Sequence, residues 1–228
     1  MKIKPQIDAL VLLSGGLDSA TCLYWAKKEF TDISAITFNC YDRGKQEKRA
    51  AANIAKAAGF SNLFEVDIPF IREYSDFTNA KHRKQDDRLP TYIPSKNLIF
   101  YSIASHFAES LDIKWIVGGH NGHDGSFFKD ARSDYLDKIN SLLTQGSPFS
   151  NHDPCVILTP LSKMNRKEIV KLALSLGVPL ELTWSCHRKS RKHCGMCYAC
   201  RQRLDAFRSL GIRDPVFDES FQPHYVFD

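Results

Sequence analysis

Residues Ile7 to Leu13 form a short apolar run rich in Val, Ile and Leu and interrupted by Asp8. That pattern predicts a strand buried on both faces. Apolar residues at helical spacing follow, with Ala20, Leu23, Tyr24 and Ala26 and no Gly or Pro before Phe30, so a helix is predicted to start near Asp18. Ser34 to Phe38 predicts a second strand, and Lys45 to Ala58, alanine-rich and closed by Gly59, a second helix. Leu63 to Ile68 predicts a third strand. Strands alternating with helices of about ten to fourteen residues imply an α/β fold, with right-handed crossovers and a parallel sheet covered by helices on both faces.

From Pro69 to Pro94 the alternation lapses into a charged segment containing KHRKQDDR, too polar for a core. It reads as a mobile loop over a site or as a solvated excursion. Asn97 to Ser110 restores helical spacing, with Ile99, Ile103 and Phe107 on one face. Lys114 to Val117 predicts a fourth strand that ends in the polar loop GGHNGHDGS. Ser133 to Leu143 predicts a helix, Val156 to Leu158 a short fifth strand, and Asn165 to Leu176 a helix stopped by Gly177 and Pro179. A final helix is expected through AFRSLGIRDP, with an irregular tail after Gly211. There is no internal repeat and no long linker, so the expected organisation is a main domain over residues 1–180 and a small cysteine-bearing region over 181–228.

A composition of 43% hydrophobic and 25% charged residues is that of a globular chain and excludes the disordered and collagenous classes. No stretch approaches the roughly 18 consecutive apolar residues of a membrane span, and the N-terminal run lacks a small-residue cleavage site. A cytoplasmic protein with no membrane partner is expected. The net charge is a modest +5, with basic clusters at Arg43 to Arg49 and at His187 to Lys192. Each reads either as solvated surface or as attraction for an anionic ligand. The seven cysteines argue against a disulfide framework in a reducing compartment.

The chemistry concentrates in two places. After the first strand comes Ser14-Gly15-Gly16-Leu17-Asp18-Ser19, then a helix. In this geometry backbone N–H groups and the positive end of the helix dipole converge on an anion. Glycine lets the main chain approach closely, the two hydroxyls add donors, and Asp18, at or near the N-cap, can orient the loop or help hold Mg²⁺. No Gly-Lys-Ser/Thr and no G-x-G-x-x-G is present, which excludes a Walker A loop and a dinucleotide fingerprint. At the other end, Cys186, Cys194, Cys197 and Cys200 are spaced C-x7-C-x2-C-x2-C. Four thiolates leave no open coordination position, as in a structural zinc site, although an iron–sulfur cluster can take the same ligands. Cys22, Cys40 and Cys155 read as small residues in apolar surroundings.

The hexapeptide resembles the SGGxDS pyrophosphate loop of the ATP pyrophosphatases, which split ATP into AMP and pyrophosphate to activate a carbonyl as its acyl-adenylate. That resemblance implies an adenine-nucleotide α-hydrolase fold, ATP and Mg²⁺ as cofactors, and adenine lying against the end of the second strand, near Phe38 to Tyr41. Together with TWSC, CGMCYAC, YIPSKN (92–97), the GHN of Gly119 and Asn121, and PLSKMNRKEIV (160–170), the chain is similar to the 7-cyano-7-deazaguanine synthase family over nearly its whole length. Membership implies adenylation of 7-carboxy-7-deazaguanine, displacement of AMP by ammonia to give an amide, and a second activation to give the nitrile. It also implies a structural Zn²⁺ and a homodimer. On this match Ser14, Gly15, Gly16, Leu17, Asp18 and Ser19 serve the pyrophosphate, with Phe38 and Gly119 also on the nucleotide. Lys96 and Arg132 are candidates for anion contacts, Asp18, Ser19 and Asp130 with them for catalysis, and Asn97, Asn121, Asp124 and Ser126 for substrate. Bland readings accompany these: Lys96 facing solvent, and Asp130 and Arg132 pairing with each other. Lys163, Lys167, His120 and His123 are weaker candidates.

Three departures from the family pattern carry information. An aromatic-Gly-Gln-Arg-His run is here Cys40-Tyr41-Asp42-Arg43-Gly44, and an Arg before Asn97 is Lys96, which keeps the charge but loses the fork. The substrate loop D-Y-S-G-Y-P-D-C-R is here Asp124-Gly125-Ser126-Phe127-Phe128-Lys129-Asp130-Ala131-Arg132. An intact ATP loop beside an altered acyl loop leaves room for an enzyme that stops at the amide or passes the acyl group to another amine, including one on a protein. The rival classes are a tRNA thiolase, which needs a sulfur-delivering cysteine or redox cluster, and an ATP sensor or zinc-knuckle nucleic-acid binder using HRKSRKH.

Overall fold

Ala9–Leu12 (β1) takes the middle of the sheet because both of its faces are apolar: Ala9 and Val11 pack to one side and Leu10 to the other, each with no exposed surface. The computed structural model describes residues 8–40, 43–60, 63–71, 93–146, 154–188 and 190–217. KHRKQDDR, Tyr41, Asp42 and the tail after residue 217 lie outside these. The other strands are Ile33–Cys40 (β2), Leu63–Ile68 (β3), Trp115–Val117 (β4) and Val156–Leu158 (β5). All pair in parallel in the order β3-β2-β1-β4-β5, so the chain winds outward from β1 in both directions. In such a sheet ligands bind beyond the strand C-termini, beside the strand where the winding reverses.

The helices are Leu17–Glu29 (α1), Lys45–Ala57 (α2), Lys96–Leu111 (α3), the single turn Asp124–Phe127 (α4), Ser133–Gly146 (α5), Arg166–Ser175 (α6) and Tyr198–Arg208 (α7). One face of the sheet meets α1, α2, α6 and α7 through Leu23, Ala51, Ile54, Ile169, Ala173 and Phe207. The other meets α3 and α5 through Tyr101, Ala104, Leu136 and Ile139. The α/β architecture with helices on both faces is therefore as its periodicity predicts. Among the described residues, no helix is long and apolar enough to cross a membrane.

Two local expectations are corrected. The last helix ends at Arg208 and does not run through AFRSLGIRDP, because the chain turns at Gly211, which takes a left-handed φ of 69°. GGHNGHDGS is not all loop: Asp124–Phe127 make one helical turn, started by the Asn121 Oδ1, which accepts the His123 and Asp124 N–H groups at 2.9 Å each. Asp18 lies near the cap of α1 as expected, two residues after Gly16, which stands at the cap with no side chain capping the helix. By contrast α6 carries a full capping box, with the Asn165 side chain accepting from Glu168 N and Glu168 accepting from Asn165 N.

Candidate active site

The phosphate loop leaves β1 and turns back into α1. Gly15 has φ +96°, and a β-carbon there would stand 2.7 Å from both Ala51 N and Glu47 O, so the loop lies directly on the backbone of α2. Gly119, past the end of β4, closes the other side, where a β-carbon would come within 3.1 Å of Ser19 N. Only glycine permits these approaches. The Ser14 and Ser19 hydroxyls lie 3.1 Å apart, and Ser19 Oγ donates to Gly16 O at 3.1 Å. Arg43 braces the loop from β2: its Nη2 donates to Ser14 O at 2.6 Å and its Nη1 to Thr37 Oγ1 at 2.8 Å.

Asp18 faces the cleft with both carboxylate oxygens engaged. Arg166 Nη1, at the start of α6, donates to Oδ1 and Oδ2 at 2.5 Å, and Asn121 Nδ2 donates to Oδ2 at 2.8 Å. Asp124 stands behind them with its pKa raised to about 6, by burial first and by the Asp18 charge second. Burial opposes the charge of Arg166, and the two carboxylates outweigh it. His120 is held neutral, its pKa lowered to about 4 by burial and then by Lys96.

These groups line a cleft of about 1100 Å³. Ser14, Gly16, Leu17, Asp18, Ser19, Phe38 and Gly119 are on its walls, with Lys96, Asn97, His120 and Asp124 across from the loop. A side lobe of about 270 Å³ continues from it, bounded by Asn97, His123, Asp124, Phe127, Phe128, Asp130 and Tyr198. The main cleft alone exceeds the roughly 300–1,000 Å³ of a single small-molecule pocket, and so has room for a nucleotide and a second ligand. Phe38 presents little surface, since its ring is stacked 4.4 Å from that of Phe100 in the core.

Lys96 lines both cavities and does not simply face solvent. It follows Ser95, whose left-handed φ of 54° is held at the start of α3. Asp130 turns inward to α3, accepting from Asn97 N at 3.4 Å, and does not pair with Arg132. Arg132 points away from the cavity and pairs on the surface with Asp134 at 3.1 Å. Ser126 is likewise exposed, its hydroxyl donating to Gly122 O. Neither reaches the cavity walls, and Lys163 and Lys167 are also on the outer surface. Arg166 and Arg43, which no sequence motif singles out as individuals, are the chief additions. The capping pattern Asn165-x-x-Glu168 marks a helix start at Arg166, but its partner Asp18 is 148 residues away.

The four cysteine thiols lie within 4.8 Å of one another, with Cys194 and Cys200 Sγ at 4.0 Å. Sulfurs in tetrahedral contact with one zinc ion stand about 3.8 Å apart. Arg188 N donates to Cys186 Sγ at 3.4 Å and Cys197 N to Cys194 Sγ at 3.3 Å, as backbone groups do around ligating thiolates. The cluster could therefore hold a metal ion. The segment leading into it lies on the phosphate loop, where Trp184 N donates to Gly15 O at 2.8 Å. Arg203, fully buried, fixes this segment: it pairs with Asp214 at 2.6 Å and donates to Thr183 Oγ1 at 2.5 Å.

A family model described as queuosine biosynthesis protein QueC matches residues 8–211. The 7-cyano-7-deazaguanine synthase of Nostoc punctiforme is 35% identical over 222 residues, covering 92% of this chain and 99% of that protein. The synthase of Nitratiruptor sp. is 36% identical over 217 residues, covering 92% and 98%. Among solved structures, NMN synthetase from Francisella tularensis matches with a TM-score of 0.51 at 13% identity, over 92% of this chain and 79% of that one. The predicted subunit of tRNA methyltransferase from Methanocaldococcus jannaschii matches with a TM-score of 0.52 at 20% identity, over 74% and 76%. At such identities these two show the fold alone.

Proposed function

The chain belongs to the queuosine biosynthesis protein QueC family, and from that premise we propose that it is an ATP-dependent ligase that adenylates a 7-deazaguanine carboxylate and transfers the acyl group to ammonia. The observation that carries the proposal is the pairing of a complete phosphate loop with a side lobe opened by Lys96, Asn97 and Asp124 within one continuous cleft.

The chemistry asks mainly for placement and charge. Backbone donors at the start of α1, with the Ser14 and Ser19 hydroxyls, bind the pyrophosphate end of ATP. The substrate carboxylate, lying in the lobe beside Lys96, attacks the α-phosphorus; the bond to the bridging oxygen breaks and pyrophosphate leaves with its electron pair. Lys96 offsets the charge that develops on the α-phosphate. Ammonia then attacks the acyl carbon and AMP departs, leaving the amide; a second adenylation, on the amide oxygen, and loss of AMP and a proton give the nitrile. Mg²⁺ would be held mainly by the phosphate oxygens, with Asp18 as the loop's carboxylate sharing its oxygens with Arg166 and Asn121, and would neutralise the leaving pyrophosphate. The four thiolates suit Zn²⁺ as a closed structural site.

Incubating the purified chain with ATP, Mg²⁺, 7-carboxy-7-deazaguanine and ammonium and following the products by mass spectrometry tests the proposal. The nitrile, AMP and pyrophosphate are expected, and absence of every deazaguanine product refutes the substrate assignment. A second reading is favoured by the lobe wall, where Phe127, Phe128 and Ala131 replace the family's Gly, Tyr and Cys. On that reading the amide accumulates, or a protein amine gains the acyl mass in the same experiment.

A further inference from the structure

The basic loop between the first two cysteines is unused by the mechanism above. Arg188 and Arg191 line the same 1100 Å³ cleft as Ser14 and Asp18, at the start of α1. Both are exposed, and neither has an acidic partner among the described residues. The other arginines of the cleft are taken: Arg43 by Glu47 and Ser14 O, Arg166 by Asp18, Arg203 by Asp214. The loop's described residues carry local hydrogen bonds. Arg188 N is tied to Cys186 Sγ, Ser190 N donates to Arg188 O at 2.9 Å, and Ser190 Oγ donates to Lys192 O at 2.6 Å. Two cations without acidic partners among the described residues, lining the same cleft as a helix N-terminus, add their positive potential to it.

We propose that Arg188 and Arg191 form the second jaw of the triphosphate site, gripping the β- and γ-phosphates that the Ser14–Ser19 loop holds from the other side. The inference rests on the ATP-dependent reading above. It also gives the four-cysteine site a definite role, which is to set the jaw at its working distance, through Cys186 on one side of the loop and Cys194 on the other. Forked guanidinium groups suit phosphate better than ammonium groups do. A jaw on the outer phosphates grips ATP and pyrophosphate but not AMP.

Titration calorimetry on the full, metal-loaded chain with Mg²⁺ tests this, using ATP, inorganic pyrophosphate and AMP as probes. R188A/R191A is expected to weaken ATP and pyrophosphate by about 10- to 100-fold while AMP stays within about twofold. R188K/R191K should fall between that variant and the parent, and R201A, an exposed arginine of α7 outside the cleft, should match the parent. Unchanged ATP affinity in R188A/R191A overturns the jaw, as does an equal loss for AMP or for R201A. A parent chain that binds ATP while the double variant binds it equally well defeats this inference alone; a parent that binds no ATP defeats the proposed function with it.

Discussion

The two walls of the cleft are built on different principles. On the phosphate side, position is set by backbone: Gly15 on α2, Gly119 on α1, and carbonyls held by Arg43 and Trp184. On the facing side, over residues 124–131, the wall is side chains on a one-turn helix and a short 3₁₀ turn, and Phe127 is exposed. Backbone geometry tolerates almost no substitution, whereas an exposed side-chain wall can be rewritten residue by residue. Under the proposed function, the adenylation half of the reaction would be the fixed one and the acyl-accepting half the one free to diverge.

The harshest test of that contrast is Gly15→Ala. It forces a side chain into a positive φ and against two backbone atoms at 2.7 Å. A cost of roughly 1–3 kcal/mol in unfolding free energy and a fall of about 100-fold or more in ATP-dependent pyrophosphate release are expected. Next is Asp18→Ala, which removes a carboxylate from the loop and leaves Arg166 unmatched. Pyrophosphate release should drop roughly 100-fold, and survival near the parent rate would contradict the assignment of the loop.

Asp124, where the two walls meet, gives an intermediate effect readable by pH. Its folded pKa of about 6 lies above the ordinary 3.8, so the native state keeps a proton that the unfolded chain releases. Its contribution to stability is fully present below pH 3.8 and is lost as pH rises through 6. Denaturant titrations of Asp124→Asn should lack this slope and show about 1–3 kcal/mol more stability than the parent at pH 7. A parent-like slope in the variant would assign the titration to another group. The smallest effect is expected at Gly125→Ala in the acyl wall. There the nearest atom to a new β-carbon is Arg132 Cγ at 3.5 Å, so melting temperature and pyrophosphate release should both stay near the parent's.

Local signals are legible in the sequence, and long-range ones are not. Strand β3 falls on Leu63–Ile68 as its apolar pattern predicts, and α2 stops where Gly59 takes a φ of 89°. The phosphate loop and the four cysteines declare themselves by spacing. The Asp18–Arg166 pair does not, since nothing in either neighbourhood encodes a contact across 148 residues. Arg132 is misplaced by its motif for a related reason. A motif register names the residue, but Asp134, two positions on, is near enough to turn its side chain outward. Tyr101 looks like an ordinary apolar position in the sequence, although its buried hydroxyl has no partner among the described residues.

The hydrogen bond from Trp184 to Gly15 has a consequence for how the protein is made. The loop at residues 14–19 leaves the ribosome about 170 residues before the segment that completes its outer edge. At about 5–20 residues per second, the two are separated by on the order of ten to thirty seconds. Through that interval the nascent chain holds an unfinished cradle, whose outer edge closes only once Trp184 has been made.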